Sequence, residues 1–417
     1  MSKVCVLQGP FNTVSGYGAH ARDIARSFIK GHSDWEVKLI DVRWGNTPRN
    51  YLMEKRDGDL ISRLLTEPLQ KQPELYIPIL VPNEFRPMGK YNIGITAGIE
   101  TTECDPAWVE GMNRMQMNIV PSNHAKEIFE KANFQGIDKR TNQVVGSLTC
   151  SSPIEVLFEG VDTNIYKQTD TIAKSVDNIM KEVKEDFSFL FMGHWLQGGL
   201  GHDRKDIGML IKVFCSTFKN MPKKPALVIK TSGSSFSVMD REDILKKINI
   251  IRNNDELPNV YLVHGDMTDV EINSLYNHPK IKAMVSFTHG EGYGRPLAEF
   301  CTSKKPVIAP NWSGQIDFLH KDYCSLLPGE LKNVDRSALQ KNMINEGSQW
   351  FYVNYFYASQ VLKDVYKNYK SHKKKAVKQG EHILKHFTLD KMAEKLKRIV
   401  DEKDNIKTGE DSDFVIL

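Results

Sequence analysis

The chain has 417 residues, enough for two or three domains, with 40% hydrophobic and 26% charged residues, the proportions of a globular chain rather than a disordered one. Fifty-six Lys and Arg against 52 Asp and Glu leave a formal charge of +4, too little for nucleic-acid binding driven by the whole protein's field. Six scattered cysteines (5, 104, 150, 215, 301 and 324) without a CxxC exclude a zinc framework and suit reduced thiols in the cytoplasm.

Short β-rich apolar runs alternate with segments of helical period, the pattern of βαβ units on parallel sheets. Strands are expected at Val4–Gln8, Glu36–Asp41, Leu75–Val81, Tyr91–Ala97, Met117–Pro121 and Ile154–Glu159. A helix over Gly18–Ile29 aligns Ala21, Ile24, Ala25 and Phe28 on one face, and Ser122 is an N-cap for a helix through His124–Ala132. Trp108 and Met112–Met117 read as core. Alternation pauses over Asn164–Asp186 and resumes with strands at Phe187–Met192, Ala226–Lys230, Val260–His264, Ile281–Phe287 and Pro306–Ala309. Helical spacing returns in Tyr352–Lys370 and Leu389–Asp401. No run reaches the roughly 18–20 apolar residues of a membrane span, and Met1-Ser2-Lys3 leads straight into a strand, without the cleavage site of a signal peptide.

The densest motif is Ser286-Phe-Thr-His-Gly-Glu-Gly-Tyr-Gly-Arg-Pro-Leu-Ala-Glu-Phe300. Gly290, Gly292 and Gly294 let the backbone turn and approach a ligand, and Pro296 suits a first helical turn whose free N–H groups favour phosphate. Glu291 and Glu299, eight positions apart, can accept hydrogen bonds from sugar hydroxyls. The plain alternative is a strand–turn–helix with two solvated glutamates.

This stretch resembles the Glu-x7-Glu motif of the group 1 nucleotide-sugar glycosyltransferases, a retaining family that includes mannosyl- and glucosyltransferases and sucrose synthase. Lys305–Asp317, Ile154–Thr163 with its Gly-Val-Asp, Val120-Pro-Ser122 and His386-Phe-Thr388 resemble further family segments in the same order. The resemblance implies an α/β, GT-B architecture: two Rossmann-like domains with parallel sheets facing a central cleft. The expected organisation is an N-terminal acceptor domain (1–165), a linker (166–186), a C-terminal nucleotide-sugar domain (187–370), C-terminal helices able to pack back on the N-terminal domain (371–401) and a flexible tail (402–417). It further implies a metal-independent transfer with retention, no cofactor beyond the nucleotide-sugar co-substrate, and a glycan acceptor. Glu291 would contact the donor sugar, Glu299 the ribose, and Gly292, Tyr293 and Gly294 the donor. Arg295 stands where the family usually has an apolar residue and could add charge near the phosphates.

A departing diphosphate gathers negative charge, which cations must meet. Arg204 and Lys205, after the glycine-rich Gly193–Gly201, match the family's Arg/Lys pair, and Lys230 ends a strand at the same edge. The alternative for Arg204 and Lys205 is a decorated helix start, a placement that the helix dipole disfavours. Glu100, after the strand Tyr91–Ala97, lies nearest the acceptor or transferred sugar, or else serves as a cap.

Gly16-x-Gly18-x-x-Ala21 with Asp41 imitates a dinucleotide fingerprint and defines the rival reading, a nicotinamide-dependent oxidoreductase. Against it, Gly16 follows the strand end near Gly9 by seven residues, whereas the fingerprint needs its first glycine directly after the strand. That length suits a mobile flap, in which Gly16, Tyr17 and Gly18 are donor-site candidates and His20 faces either the cleft or solvent. A third reading is a non-catalytic nucleotide- or glycan-binding protein. Tyr366–Lys375 interleaves aromatic and basic residues; it reads mainly as a solvated helix face, with a phosphate backbone as the alternative. That alternative admits a hydroxymethylated DNA base as acceptor, and the Ser15–His20 segment also resembles phage or viral members of the family.

Overall fold

The computed structural model describes residues 3–45, 47–137, 140–141, 143–233 and 236–404. Of the tail expected over 402–417, residues 405–417 lie outside the described residues. The chain divides into two units: Met1–Ile99 with Glu103–Gly160 and Leu389–Leu417, and Glu100–Thr102 with Val161–Thr388.

In the first unit, β1 (Val4–Gly9) leads into α1 (Gly16–Gly31), β2 (Glu36–Asp41), α2 (Glu54–Ile61), β3 (Leu75–Pro78) and β4 (Tyr91–Ile95). Then come α3 (Pro106–Asn113), β5 (Met117–Val120), α4 (Asn123–Lys131), the antiparallel hairpin β6 (Asn133–Ile137) and β7 (Val144–Thr149), and β8 (Ile154–Val156). The sheet runs β2-β1-β3-β4-β5-β8 with parallel pairing throughout. Apolar residues on both faces of β1, β3 and β5 let helices cover the sheet on both sides. Ser15 caps α1, its Oγ accepting from the Gly18 N–H, and Ser122 caps α4 through the Ala125 N–H. Ala21, Ile24, Ala25 and Phe28 are fully buried as their spacing predicts, and Trp108, Met112, Met115 and Met117 lie in the core.

The last helix, Leu389–Asp404, belongs to this unit. Its Met392, Leu396, Ile399 and Val400 share a cluster with Ile24 and Phe28, and burying side chains of this size stabilises by about 1.5–3 kcal/mol each.

The second unit contains α5 (Lys174–Lys181), β9 (Ser188–Met192), α6 (Ile207–Phe218), β10 (Ala226–Lys230), α7 (Val238–Arg252), β11 (Val260–Val263) and α8 (Asp269–Asn277). It continues through β12 (Ile281–Val285), α9 (Arg295–Cys301), β13 (Val307–Pro310), β14 (Ser325–Leu327), the hairpin β15 (Gly329–Asn333) and β16 (Gln349–Val353), α10 (Tyr355–Lys367) and α11 (Tyr369–His386). With these placed, the last helix is α12. The sheet order is β11-β10-β9-β12-β13-β14, again all parallel. The chain builds outward from β9 in one direction, then returns to β9's other side with β12. That reversal opens a crevice at the carboxyl ends of β9 and β12.

Residues 166–186, expected as a linker, pack on this unit. The backbone N–H groups of Lys167, Thr169 and Ala173 donate to Asn273, Asn277 and Ser274 of α8, each at 3.2 Å, and Val176 and Met180 are buried. The polar α8 face satisfies an irregular backbone that apolar periodicity could not reveal. In Tyr366–Lys375 the aromatics turn inward: Tyr366 and Tyr369 meet Phe187 edge-on at 4.9 and 5.5 Å. The interleaving is therefore a core anchor with lysines on its outer side.

Candidate active site

The crevice of the second unit gathers four of the charged residues singled out from the sequence. Arg204 and Lys205 lie in the turn between β9 and α6, and Glu291 in the loop between β12 and α9. The two loops are laced by backbone: His289 N–H donates to the Arg204 carbonyl at 2.7 Å, and the Thr288 hydroxyl to the same oxygen at 3.3 Å. Lys205 Nζ donates to Glu291 Oε1, and Arg204 Nη1 lies 3.3 Å from Glu291 Oε2 and 3.1 Å from the Gly290 carbonyl. The same nitrogen is 3.0 Å from Glu100 Oε1. Glu100 enters this unit with Thr102, whose N–H donates to the Gln349 carbonyl while its hydroxyl accepts from the Gln349 N–H.

Gly290 makes the approach of Glu100 possible. A Cβ at that position would stand 1.9 Å from the Glu100 carbonyl oxygen, so this glycine serves packing rather than a turn. Gly294 is the one glycine of the motif with positive φ, 101°, and it starts α9 as N-cap; Arg295 follows as the first helical residue and Pro296 as the second. Gly292 presents its carbonyl to Gly314, where a side chain would stand 2.1 Å from it. The Tyr293 side chain turns into the core: it is 2% exposed and its ring packs on Phe318, which leaves only its backbone in the Gly292–Arg295 turn to face a ligand.

Burial governs the electrostatics. It would raise the Glu291 carboxyl, but Lys205 and Arg204 outweigh it and hold the group below the ordinary glutamate value. Burial lowers Lys205, with Glu291 restoring only part. It also lowers Lys230, whose Nζ donates to the Gly265 carbonyl at 2.7 Å. His194 is lowered first by burial and then by Lys205, Arg204 and Lys230 together, so all three cations bear on one imidazole. Arg204 and Lys205 thus converge on Glu291 and its neighbour Glu100, with Lys230 bearing on the same histidine, an arrangement that can receive an anion and fix its orientation.

Glu299, on α9, is 5% exposed. Arg295 Nε donates to its Oε1 at 2.8 Å and the Tyr276 hydroxyl to its Oε2 at 3.4 Å. Tyr276 was not among the sequence candidates; a tyrosine in a helix of mixed polarity gives no periodic signal. Ser313 was missed too. Its Oγ accepts from the Glu291 N–H at 3.0 Å, and the Gly314 N–H donates to the Glu291 carbonyl at 2.9 Å, so the loop after β13 fixes the Glu291 backbone from a second side. Met192, Met284 and Leu297 line a small pocket beside Lys205 and Glu291.

Gly16, Tyr17 and Gly18 belong to the first unit and open α1. The segment before them, expected as a mobile flap, is pinned. Buried Arg22 donates from Nη1 to the Phe11 and Thr13 carbonyls at 2.7 and 3.0 Å, and Phe11 is fully buried. Gly18 approaches Thr13, whose carbonyl oxygen would be 2.5 Å from a Cβ there. The Tyr17 hydroxyl meets Thr96 Oγ1 at 2.8 Å while its ring stacks on Trp44 at 3.9 Å. His20 does not face solvent: it is 1% exposed, with Nδ1 4.0 Å from Glu159 Oε1. Asp41, the acid of the dinucleotide imitation, accepts from Arg49 and from the Asn12 N–H, so the carboxylate closes this loop.

The fold defines a class: two α/β units, each on a six-stranded parallel sheet, which is the GT-B architecture of glycosyltransferase structures. No protein-family model matches the chain, and no curated protein matches its sequence. Among solved structures it is similar to a glycosyltransferase from Rickettsia africae ESF-5, with TM-score 0.64 and 12% identity over 97% of this chain and 100% of that one. It is also similar to sucrose-phosphate synthase from Thermosynechococcus elongatus (TM-score 0.62, 10% identity, 96% and 98% covered). A third is Anabaena HepE, solved in complex with UDP and glucose (TM-score 0.60, 10% identity, 96% and 100% covered). At these identities the likeness is one of fold. No helix among the described residues is long and apolar enough to cross a membrane.

Proposed function

We propose that this chain is a glycosyltransferase that moves a sugar from a nucleotide-sugar donor to an acceptor hydroxyl. The observation that carries the reading is the buried cluster of Arg204 and Lys205 on Glu291 at the carboxyl ends of β9 and β12, in a fold shared with a solved complex of UDP and glucose. In this reading Arg204 and Lys205 meet the donor diphosphate and Glu291 accepts hydrogen bonds from hydroxyls of the donor sugar. Glu299, held by Arg295 and Tyr276, accepts from the ribose hydroxyls. Glu100, through its pairing with Arg204, is the carboxylate nearest the transferred sugar. Lys230 adds positive field at the same edge, and the Gly292–Arg295 turn gives the donor a close backbone surface.

The glycosidic C–O bond to the diphosphate breaks while the acceptor oxygen bonds to the same carbon on the same face, which retains the configuration. The acceptor proton passes to the departing phosphate oxygen. Arg204 and Lys205 meet the charge that grows on the diphosphate, the part a divalent metal plays elsewhere, so we propose a metal-independent transfer with no cofactor beyond the nucleotide sugar. Gly16, Tyr17 and Gly18 remain proposed donor-site residues of the first unit. The acceptor is proposed to be a glycan, in the cytoplasm. A DNA acceptor draws less support, because the tyrosines behind that idea are spent on packing against Phe187.

The test is incubation of the full chain with a panel of nucleotide sugars that includes UDP-glucose, following release of nucleoside diphosphate and the anomeric signal of the product by NMR. Release from one donor, abolished in Glu291→Gln, is expected. Absence of both binding and release across the panel overturns the proposal.

A further inference from the structure

A separate pocket of ≈ 330 Å³ lies in the second unit, between the loop Leu200–His202 and the β15–β16 hairpin. Pockets that take small organic molecules are about 300–1,000 Å³, mostly apolar, with a few converging polar groups. Here Met209, Tyr352 and Tyr355 supply the apolar lining, and His202, Asn333 and Asp335 the polar groups.

The polar groups have unused capacity. Asp335 accepts from the Ser337 N–H and hydroxyl, at 2.9 and 2.6 Å, both on Oδ1. Asn333 accepts from Gln349 on Oδ1 at 3.2 Å. Asp335 Oδ2 and Asn333 Nδ2 therefore have no hydrogen-bond partner among the described residues. An acceptor and a two-proton donor beside tyrosines and a methionine match a molecule with an apolar face and hydroxyls around its edge. A phosphate would meet the Asp335 carboxylate, and the nearby Lys332 is already paired with Glu330 at 2.8 Å.

We propose that this pocket is a carbohydrate site that seats one pyranose ring of a glycan, its apolar face on Met209, Tyr352 and Tyr355 and its hydroxyls on Asn333 and Asp335. The pocket wall belongs to the turn that carries Arg204 and Lys205, and the Tyr355 hydroxyl donates to Asp206 of that turn at 2.7 Å. A glycan held here stays tethered to the protein beside the crevice of the same unit. The inference stands on the pocket's own chemistry and does not need the donor assignment.

The test uses methyl hexopyranosides as probes and the methionine methyl signals of the full chain as reporters. Met209 lines this pocket, whereas Met192 and Met284 line the pocket at Glu291. A methyl hexopyranoside is expected to shift Met209 saturably and to leave Met192 and Met284 in place. Asp335→Asn, which keeps an oxygen to cap Ser337, is expected to weaken that binding roughly fivefold, the difference between a charged and a neutral acceptor. The proposal is overturned if no hexopyranoside moves Met209, if only Met192 and Met284 respond, if a nucleoside shifts Met209 as strongly, or if Asp335→Asn binds like the wild type.

Discussion

Arg295 Nε donates to Glu299 Oε1 at 2.8 Å, one helical turn along α9, and so fixes a carboxylate that Tyr276 holds from its other oxygen. Glu299 is therefore oriented before any ligand arrives. In Glu299→Gln the Tyr276 contact can persist while the charge is lost. Affinity for the matching nucleoside diphosphate, measured by calorimetry, is expected to fall roughly tenfold with little change in melting temperature. Unchanged affinity would remove Glu299 from the donor site.

Arg204 shares one nitrogen among Glu100, Glu291 and the Gly290 carbonyl. Its Ala substitution removes a cation that acts on charge developing in the transition state. Turnover should fall by about 10²–10³-fold, with a smaller effect on the donor KM. A KM effect with intact turnover would reassign Arg204 to ground-state binding.

Two buried groups titrate in opposite senses. Burial lowers His289 from 6.5 to about 4, so the unfolded chain takes up that proton first and stability falls as pH drops through this window. Burial raises Asp203 from 3.8 to about 6, so the folded chain is protonated first and stability is gained over nearly the same range. Each is worth about 3 kcal/mol, and in the wild type they offset one another. Asp203→Asn removes the gain and leaves the histidine. Its melting temperature should therefore fall more steeply than the wild type's between pH 6.5 and 4, and parallel curves would refute the pairing.

Gly290→Ala places a methyl group 1.9 Å from the Glu100 carbonyl oxygen. Overpacking of this kind costs about 1–3 kcal/mol. The variant should melt earlier and lose turnover together, because relief comes only by displacing Glu100 from Arg204. A variant with wild-type stability would show that Glu100 does not sit there in solution.

Central parallel strands were legible because burial on both faces makes each one a continuous apolar run: Ala226–Lys230, buried throughout, has the bounds read from sequence. The hairpins were not. Every residue of β15 is exposed, and β7 places Val144 and Val145 on exposed positions, so burial imposes no apolar period on either strand. In the site, Glu291, Glu299, Arg204 and Lys205 were visible through motif and order. Tyr276 and Ser313 were not, since their roles arise from contacts with residues 23 and 22 positions away. Tyr293, between two glycines, and His20, in the first turns of α1, show the converse, since polar residues in a glycine-rich segment can still be drawn into the core.

The return of α12 to the first unit has a consequence during synthesis. When the ribosome has completed residue 388, every strand of both sheets exists, and Val161–Thr388 holds all of its own core. The earlier-made unit still waits for Met392, Leu396, Ile399 and Val400 to fill the groove beside Ile24 and Phe28. The part translated first is thus the last able to mature, and a chain truncated at residue 388 would have one finished half and one open one.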